Sequence, residues 1–513
     1  MNQPPSLDAR YKKAAEEIAS LFAKEMNGVT PDYYIKIRPD GPYLIIEFSK
    51  PGEHHFEIHN RIASTLSDDN PFKERSTVQS RRSAPKSRLL IPETQLLKKE
   101  ISESLTVDKN SLDDQFLLRY TPSVGGFETQ IVANANYAVF GRRGAGKSSL
   151  LAYGMHHAIR NGHPFSWVAM QTYARRADLR VIPGVISEVL HELRSFTTAP
   201  EQFDDLIEEF SSLSESESTD TLTKCDRIIP RTRRTLSNIA TTRSPLTIFL
   251  DDIHVLDETI QPIVLHYLYS LSRGNNAFIK TSGISQLTRL WDSTSHRGLQ
   301  PTHDVQLITL DHNLTTPDKS KQHIVTILDA HAHYCGLPDI RYLSGDDAIS
   351  RLVLVAAGVP RDSLSLFTTA ITKAASKGQK LVSLTSVNAA ASEMAEQKLK
   401  DIEQDSGDSS QEIQSILGEV KEFCINEQRK NAFLVEIKNA DQRYRLIQKL
   451  VALRLVHVLH EGTTPHKAGK RFMALMLDYG FYVGIRAARS VELIPSEPRA
   501  LLAKELRSLP IFR

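Results

Sequence analysis

Cysteine is scarce in this sequence, and no long apolar run occurs. The three cysteines, Cys225, Cys335 and Cys424, are scattered through 513 residues. Their odd number and lack of framework spacing exclude a disulfide-built domain and fit a reducing compartment. No stretch approaches the ~20 apolar residues that a membrane helix needs. The polar start Met1–Arg10 lacks the apolar segment of a secretory leader. The expected location is therefore cytoplasmic, with no membrane contact. Excess charge is missing too: the formal net charge is +2, so any contact with nucleic acid must come from local basic patches. Internal repeats and heptads are absent. The length allows about three or four domains.

One stretch stands out against this ordinary background. Val139–Ser149 fits G-x-x-x-x-G-K-[ST], with Gly141, Gly146, Lys147 and Ser148 in register. Gly141, Arg142, Arg143, Gly144, Ala145 and Gly146 form a loop whose glycines let backbone N–H groups turn inward around phosphate oxygens. Lys147 is placed to reach the β- and γ-phosphates, and Ser148, followed by Ser149, to hold Mg²⁺. Tyr137–Phe140 reads as a buried strand and Ser148–Ile159 as a helix. The anion therefore meets a helix N-terminus, where unpaired N–H groups and the dipole favour it. ATP and Mg²⁺ are the expected ligands.

A second segment supplies what that loop requires. Leu246–Leu250 is a run of β-formers ending in Asp251-Asp252. Asp251 is expected to meet the cation held by Ser148, and Asp252 to orient or activate water. Further along, the strand Ala277–Thr281 leads into Thr281-Ser282, where a hydroxyl would face the phosphate or attacking water. Gly358-Val359-Pro360-Arg361 follows an apolar helix, with proline set to start the next one. Arg361 offers a permanently charged fork for phosphate oxygens.

The spacing of these pieces resembles that of AAA+ and STAND P-loop ATPases, most closely the origin-recognition (initiator-type) branch and its bacterial relatives. Phe140–Ser148 is similar to Walker A, Ile248–Asp252 to Walker B, Thr281-Ser282 to sensor 1, and Gly358–Arg361 to sensor 2. Arg289–Asp292 and Leu299–Asp304 also resemble initiator-like segments. The likeness covers roughly residues 110–400. It implies an ATPase that hydrolyses ATP slowly, since Asp252 replaces the usual Glu, and that forms an ATP-dependent homo-oligomer. No arginine finger is assignable among Arg273, Arg289 and Arg297.

The expected fold is α/β: a three-layer P-loop core with a parallel sheet, a helical lid, a C-terminal winged helix and a small N-terminal α+β domain. The predicted division is 1–70 for the N-terminal domain, 71–110 for a basic Ser/Pro-rich linker and 111–312 for the nucleotide-binding domain. The helical lid follows over 313–400, an acidic linker over 401–411 and the winged-helix-like domain over 412–513. The acidic, Ser/Thr-rich stretch 197–223 reads as a partly mobile insertion. Arg443, Arg445 and Lys449 lie on the helix before the wing, and Lys467, Lys470 and Arg471 on the wing itself. That placement suits double-stranded DNA, with a helix in the groove and a basic loop on phosphate.

Residues 1–70 are expected to bind a protein partner. Asp40, Glu47 and Lys50 echo a metal-nuclease pattern, but seven extended residues would separate the two acids by about 23 Å. The sets His54/His55/His59 and His331/His333/Cys335 lack zinc spacing. The leading expectation is an ATP-dependent, DNA-binding switch. The alternative is a nucleotide-gated scaffold of a bacterial defence or mobile-element complex that recruits an effector. A small-molecule P-loop kinase would need neither Arg361 nor the terminal domain.

Overall fold

The computed structural model describes residues 9–82, 87–109, 112, 115–174, 176, 178–216, 220–310, 314, 316–405, 410–438, 441–463, 470–483 and 491–513. The chain divides into two units. One comprises Met1–Leu105, Leu117–Thr121 and His312–Arg513; the other comprises Thr106–Phe116 and Pro122–Asp311.

The first unit opens with the helix Ala9–Glu25, whose Ala14, Ala15, Ile18, Ala19 and Phe22 share one buried face. Strands β1 (Asp32–Arg38) and β2 (Gly41–Phe48) form the expected hairpin around Pro39-Asp40. Strand β3 (Ser76–Ser80) then pairs parallel with β2. Here the expected linker 71–110 is corrected: it holds β3 and the helix Pro92–Ser104. Three of its arginines have partners inside the unit. Arg81 sits 2.6 Å from Asp32 and 3.1 Å from the buried Glu93, and Arg75 and Arg88 donate to the carbonyls of Asp40 and Tyr342. In β2, Glu47 stands opposite Asp32, while Asp40 lies beyond the other end of the strand. No group of three or more His, Cys, Asp or Glu able to hold a metal occurs among the described residues.

The helices Pro317–Tyr334, Asp346–Val355, Pro360–Ser376 and Leu384–Asp405 form the helical layer. The expected linker 401–411 shrinks, because this last helix runs to Asp405 and the next, Ser410–Lys421, starts five residues on. Strands β4 to β10 belong to the second unit and are given below. The C-terminal part carries β11 (Ala432–Glu436), the helix Gln442–Ala452, β12 (Val456–Thr463), β13 (Phe472–Leu477) and β14 (Ile511–Phe512). Their sheet order is β12-β13-β11-β14, and β12 and β13 are antiparallel. One continuous apolar cluster joins Phe22 and Phe48 to Leu352 and Phe367, and these to Phe433 and Leu475. The expected separate C-terminal unit is instead built around a core shared with the segments before it.

The second unit is a parallel sheet with helices. Its strands are β4 (Tyr137–Phe140), β5 (Phe165–Ala169), β6 (Leu246–Asp251), β7 (Ala277–Gly283) and β10 (Gln306–Thr309). A small pair, β8 (Trp291–Asp292) with β9 (Arg297–Gly298), precedes the last. The order is β10-β4-β7-β6-β5, with every neighbour parallel. Strands buried on both faces read as unbroken apolar runs, as Tyr137–Phe140 and Ile248–Leu250 do. Stretch 197–223 is no mobile insertion where described: the helix Glu201–Glu215 buries Phe203, Leu206 and Phe210. Their helical spacing puts the acidic residues on the solvent side. Composition alone concealed that stripe.

Candidate functional site

The parallel order places β7 between β4 and β6, so the loop after β4, the end of β6 and the end of β7 converge at one edge. In open α/β sheets that carboxyl edge is where ligands bind. The loop Gly141–Gly146 is shaped for anions by two left-handed glycines, Gly144 at φ 80° and Gly146 at φ 93°. A side chain at Gly141 would also meet Ala145 Cβ at 3.0 Å. Gly146 caps the helix Lys147–Arg160, leaving its first N–H groups for an incoming phosphate. Arg142 is buried and Arg143 exposed; Ala145 and Ser149 lie between these extremes.

The Ser148 hydroxyl donates to Asp251 Oδ1 at 3.1 Å. Ser282 donates to the same oxygen at 2.6 Å and accepts the backbone N–H of Asp252 at 2.8 Å. Burial first, and the neighbouring Asp252 carboxylate second, push Asp251 up to about 6, against the opposing hydrogen bonds from Ser282 and Ser148 and the charge of Lys147. An enclosed carboxylate that holds its proton more tightly than usual is a site short of positive charge. Hydroxyl and carboxylate are both hard oxygen donors, and the pair fits a magnesium ion.

Lys147 is buried, donates to the Arg142 carbonyl at 3.3 Å and stands 3.7 Å from Asp252. Asp252 adopts a left-handed φ of 60°, a backbone conformation that Asp tolerates better than most residues. It keeps 37% of its side-chain surface, so water can reach it.

The hydroxyls of Thr281 and Ser282 part company. Adjacent residues of β7 point to opposite faces, and only Ser282 touches Asp251. Thr281 is buried, and its hydroxyl has no hydrogen-bond partner among the described residues. Sequence reading missed His254. Its side chain is only 5% exposed and lies 3.6 Å from Asp252, and the ring is lowered to about 4 by burial, with Lys147 and Arg143 adding to the effect and Asp252 opposing it. A histidine two residues past an acidic pair carries no signal of its own; the helical turn Ile253–Val255 brings it back.

Arg361 belongs to the other unit, where it is exposed at the start of Pro360–Ser376. Of the basic residues expected on DNA, Arg443 is turned onto its own domain, 2.6 Å from Glu419 and stacked 4.8 Å over Phe512. Lys470 pairs with Glu436 at 2.9 Å. Arg445, Lys449 and Arg471 are exposed. Lys467 lies outside the described residues.

No family model and no curated protein matches this chain. Solved structures do. The chain is similar to Drosophila ORC bound to DNA, at 14% identity and a TM-score of 0.36, covering 85% of this chain and 98% of that one. It is also similar to the Aeropyrum pernix ORC1 protein in complex with DNA, at 13% identity and 0.39, covering 79% and 97%. A Walker-type ATPase of Pyrococcus abyssi gives 13% and 0.39, covering 75% and 97%. The roles of Lys147, Ser148, Asp251 and Ser282 rest on their own geometry.

Proposed function

We propose that the protein is an ATP-dependent molecular switch of the AAA+/STAND type, which binds and slowly hydrolyses ATP and binds double-stranded DNA through its C-terminal domain. The observation that carries the nucleotide reading is the convergence of Ser148 and Ser282 on one oxygen of Asp251, beside a helix N-terminus opened by Gly144 and Gly146.

Loop N–H groups and Lys147 bind the phosphates. Ser148 and Asp251 would hold Mg²⁺, which neutralises charge on the transferred phosphoryl group. Ser282 fixes Asp251 and the backbone of Asp252 together. Asp252, partly exposed and held by a left-handed turn, orients water for attack. Its carboxylate is one methylene shorter than Glu, which favours slow turnover. Arg361 answers the charge of the bound phosphates from the helical layer.

Lys147→Ala should raise the Kd for ATP by about tenfold to a hundredfold, the value of a charge-assisted hydrogen bond. Unchanged affinity in calorimetry would end this reading. The DNA reading is supported by the exposed basic residues around the wing. It requires a gel shift that weakens with salt and is lost on charge reversal of Lys467, Lys470 and Arg471. Absence of any shift at low salt would leave a nucleotide-gated scaffold instead.

A further inference from the structure

Arg361 and Asp362 are neighbours in the first turn of Pro360–Ser376, yet one is exposed and the other buried. A buried carboxylate needs partners, and those of Asp362 come from outside its own helix. Arg454, just past the helix Gln442–Ala452, takes a left-handed φ of 61° and places its guanidinium on Asp362 Oδ1. Lys398, from the helix Leu384–Asp405, lies 3.9 Å from Oδ2. Lys398 also donates to the Arg454 carbonyl at 3.2 Å and to Asp478 at 2.7 Å. His457 meets the same Asp478 oxygen at 2.9 Å. Five ionisable side chains thus form one chain of contacts from the helical layer into the C-terminal sheet.

Stability does not explain such an arrangement. A buried ion pair gives little net stabilisation compared with apolar residues of similar volume, and what it can add is a defined orientation of the groups it joins. Successive helix positions are about 100° apart. Holding Asp362 inward by two cations therefore sets the direction in which Arg361 leaves the helix. Resting on the reading of Arg361 as a phosphate-sensing residue, we propose that Asp362 and Arg454 are positioning residues for Arg361. The C-terminal domain is then a working part of nucleotide discrimination, even with no DNA bound.

The test uses the full chain and the ratio of its ADP and ATP dissociation constants. Arg361→Ala should bring that ratio close to one. The pair Asp362→Asn with Arg454→Gln removes both charges, so neither is stranded in the interior. It should lower the ratio as far as Arg361→Ala does, close to one, with ADP affinity held within about twofold, and adding Arg361→Ala should then cost nothing more, as expected of residues acting as a unit. Arg454→Lys keeps the charge without the fork and serves should the pair fail to fold; it should lower the ratio part-way. A ratio untouched by the pair, or by Arg454→Lys, while Arg361→Ala collapses it would overturn the positioning role and leave Arg361's own role standing. Independent, multiplying effects would overturn it too. No effect of Arg361→Ala would remove the reading of Arg361 itself, and the positioning role with it.

Discussion

Ser148 and Asp251 are separated by 103 residues in sequence and by one hydrogen bond of 3.1 Å in the fold. The link exists because β4 and β6 run parallel on either side of β7, so their carboxyl ends reach the same edge together. Ser282, at the end of the strand between them, completes the contact from the middle.

Asp252 occupies Lys147 in this structure, 3.7 Å away. Asp252→Ala removes that competitor as well as the group proposed to orient water. Turnover should fall about a hundredfold, on the scale of general-base loss, while ATP affinity is retained or tightened. Single-turnover hydrolysis alongside equilibrium binding checks both. Equal loss of binding and turnover contradicts the assigned role.

Thr281 and Ser282 should behave oppositely. Ser282→Ala deprives Asp251 of its 2.6 Å donor and should reduce turnover about tenfold or more, the weight of a hydrogen bond to a charged group. Thr281→Val replaces a buried hydroxyl that has no hydrogen-bond partner among the described residues. It should leave turnover unchanged and stability within about 1 kcal/mol. Reversed outcomes would exchange the roles of the two positions.

Gly480 lies where the Tyr479–Phe481 turn presses on the helix Leu384–Asp405. A Cβ there would stand 2.4 Å from Ala395 Cβ and 2.5 Å from the Ala391 carbonyl oxygen. Because the second contact is backbone, little can yield. Gly480→Ala should destabilise the first unit by about 1–3 kcal/mol, as overpacking does. Denaturant unfolding measures it.

Acid should weaken the first unit through His55. Burial, chiefly, and neighbouring His54 lower this residue to about 3 from the usual 6.5. The unfolded chain therefore takes up a proton below 6.5 that the folded chain refuses. The stabilisation is full above that pH and is lost as pH falls from 6.5 towards 3, at up to about 1.4 kcal/mol per unit. His331, lowered to about 4 by burial and then Arg119, acts in the same sense. Urea unfolding at pH 7 and pH 5 should show the loss, and His55→Gln should make the difference smaller.

Much of the site was legible because its signals are local. The loop Gly141–Ser148 is contiguous, and Asp251-Asp252 ends an unbroken run of β-formers. The hairpin around Pro39-Asp40 and the wing strands likewise follow from short-range turn chemistry and alternation. Composition misled where charged residues have partners far along the chain. Arg81 read as linker charge, yet it is neutralised by Asp32 and Glu93. His254 and Asp362 gave no signal, since a lone histidine or aspartate acquires meaning only from its neighbours in space.

What the sequence by itself determined is the chemistry on offer: a glycine-rich loop, a carboxylate pair and the periodicities that build strands and helices. Which hydroxyl reaches Asp251, which cations pin Asp362, and which apolar segments share one core were decided by tertiary structure alone. Backbone preference and motif spacing act over a few residues, whereas burial and charge pairing depend on which distant segments the fold brings into contact.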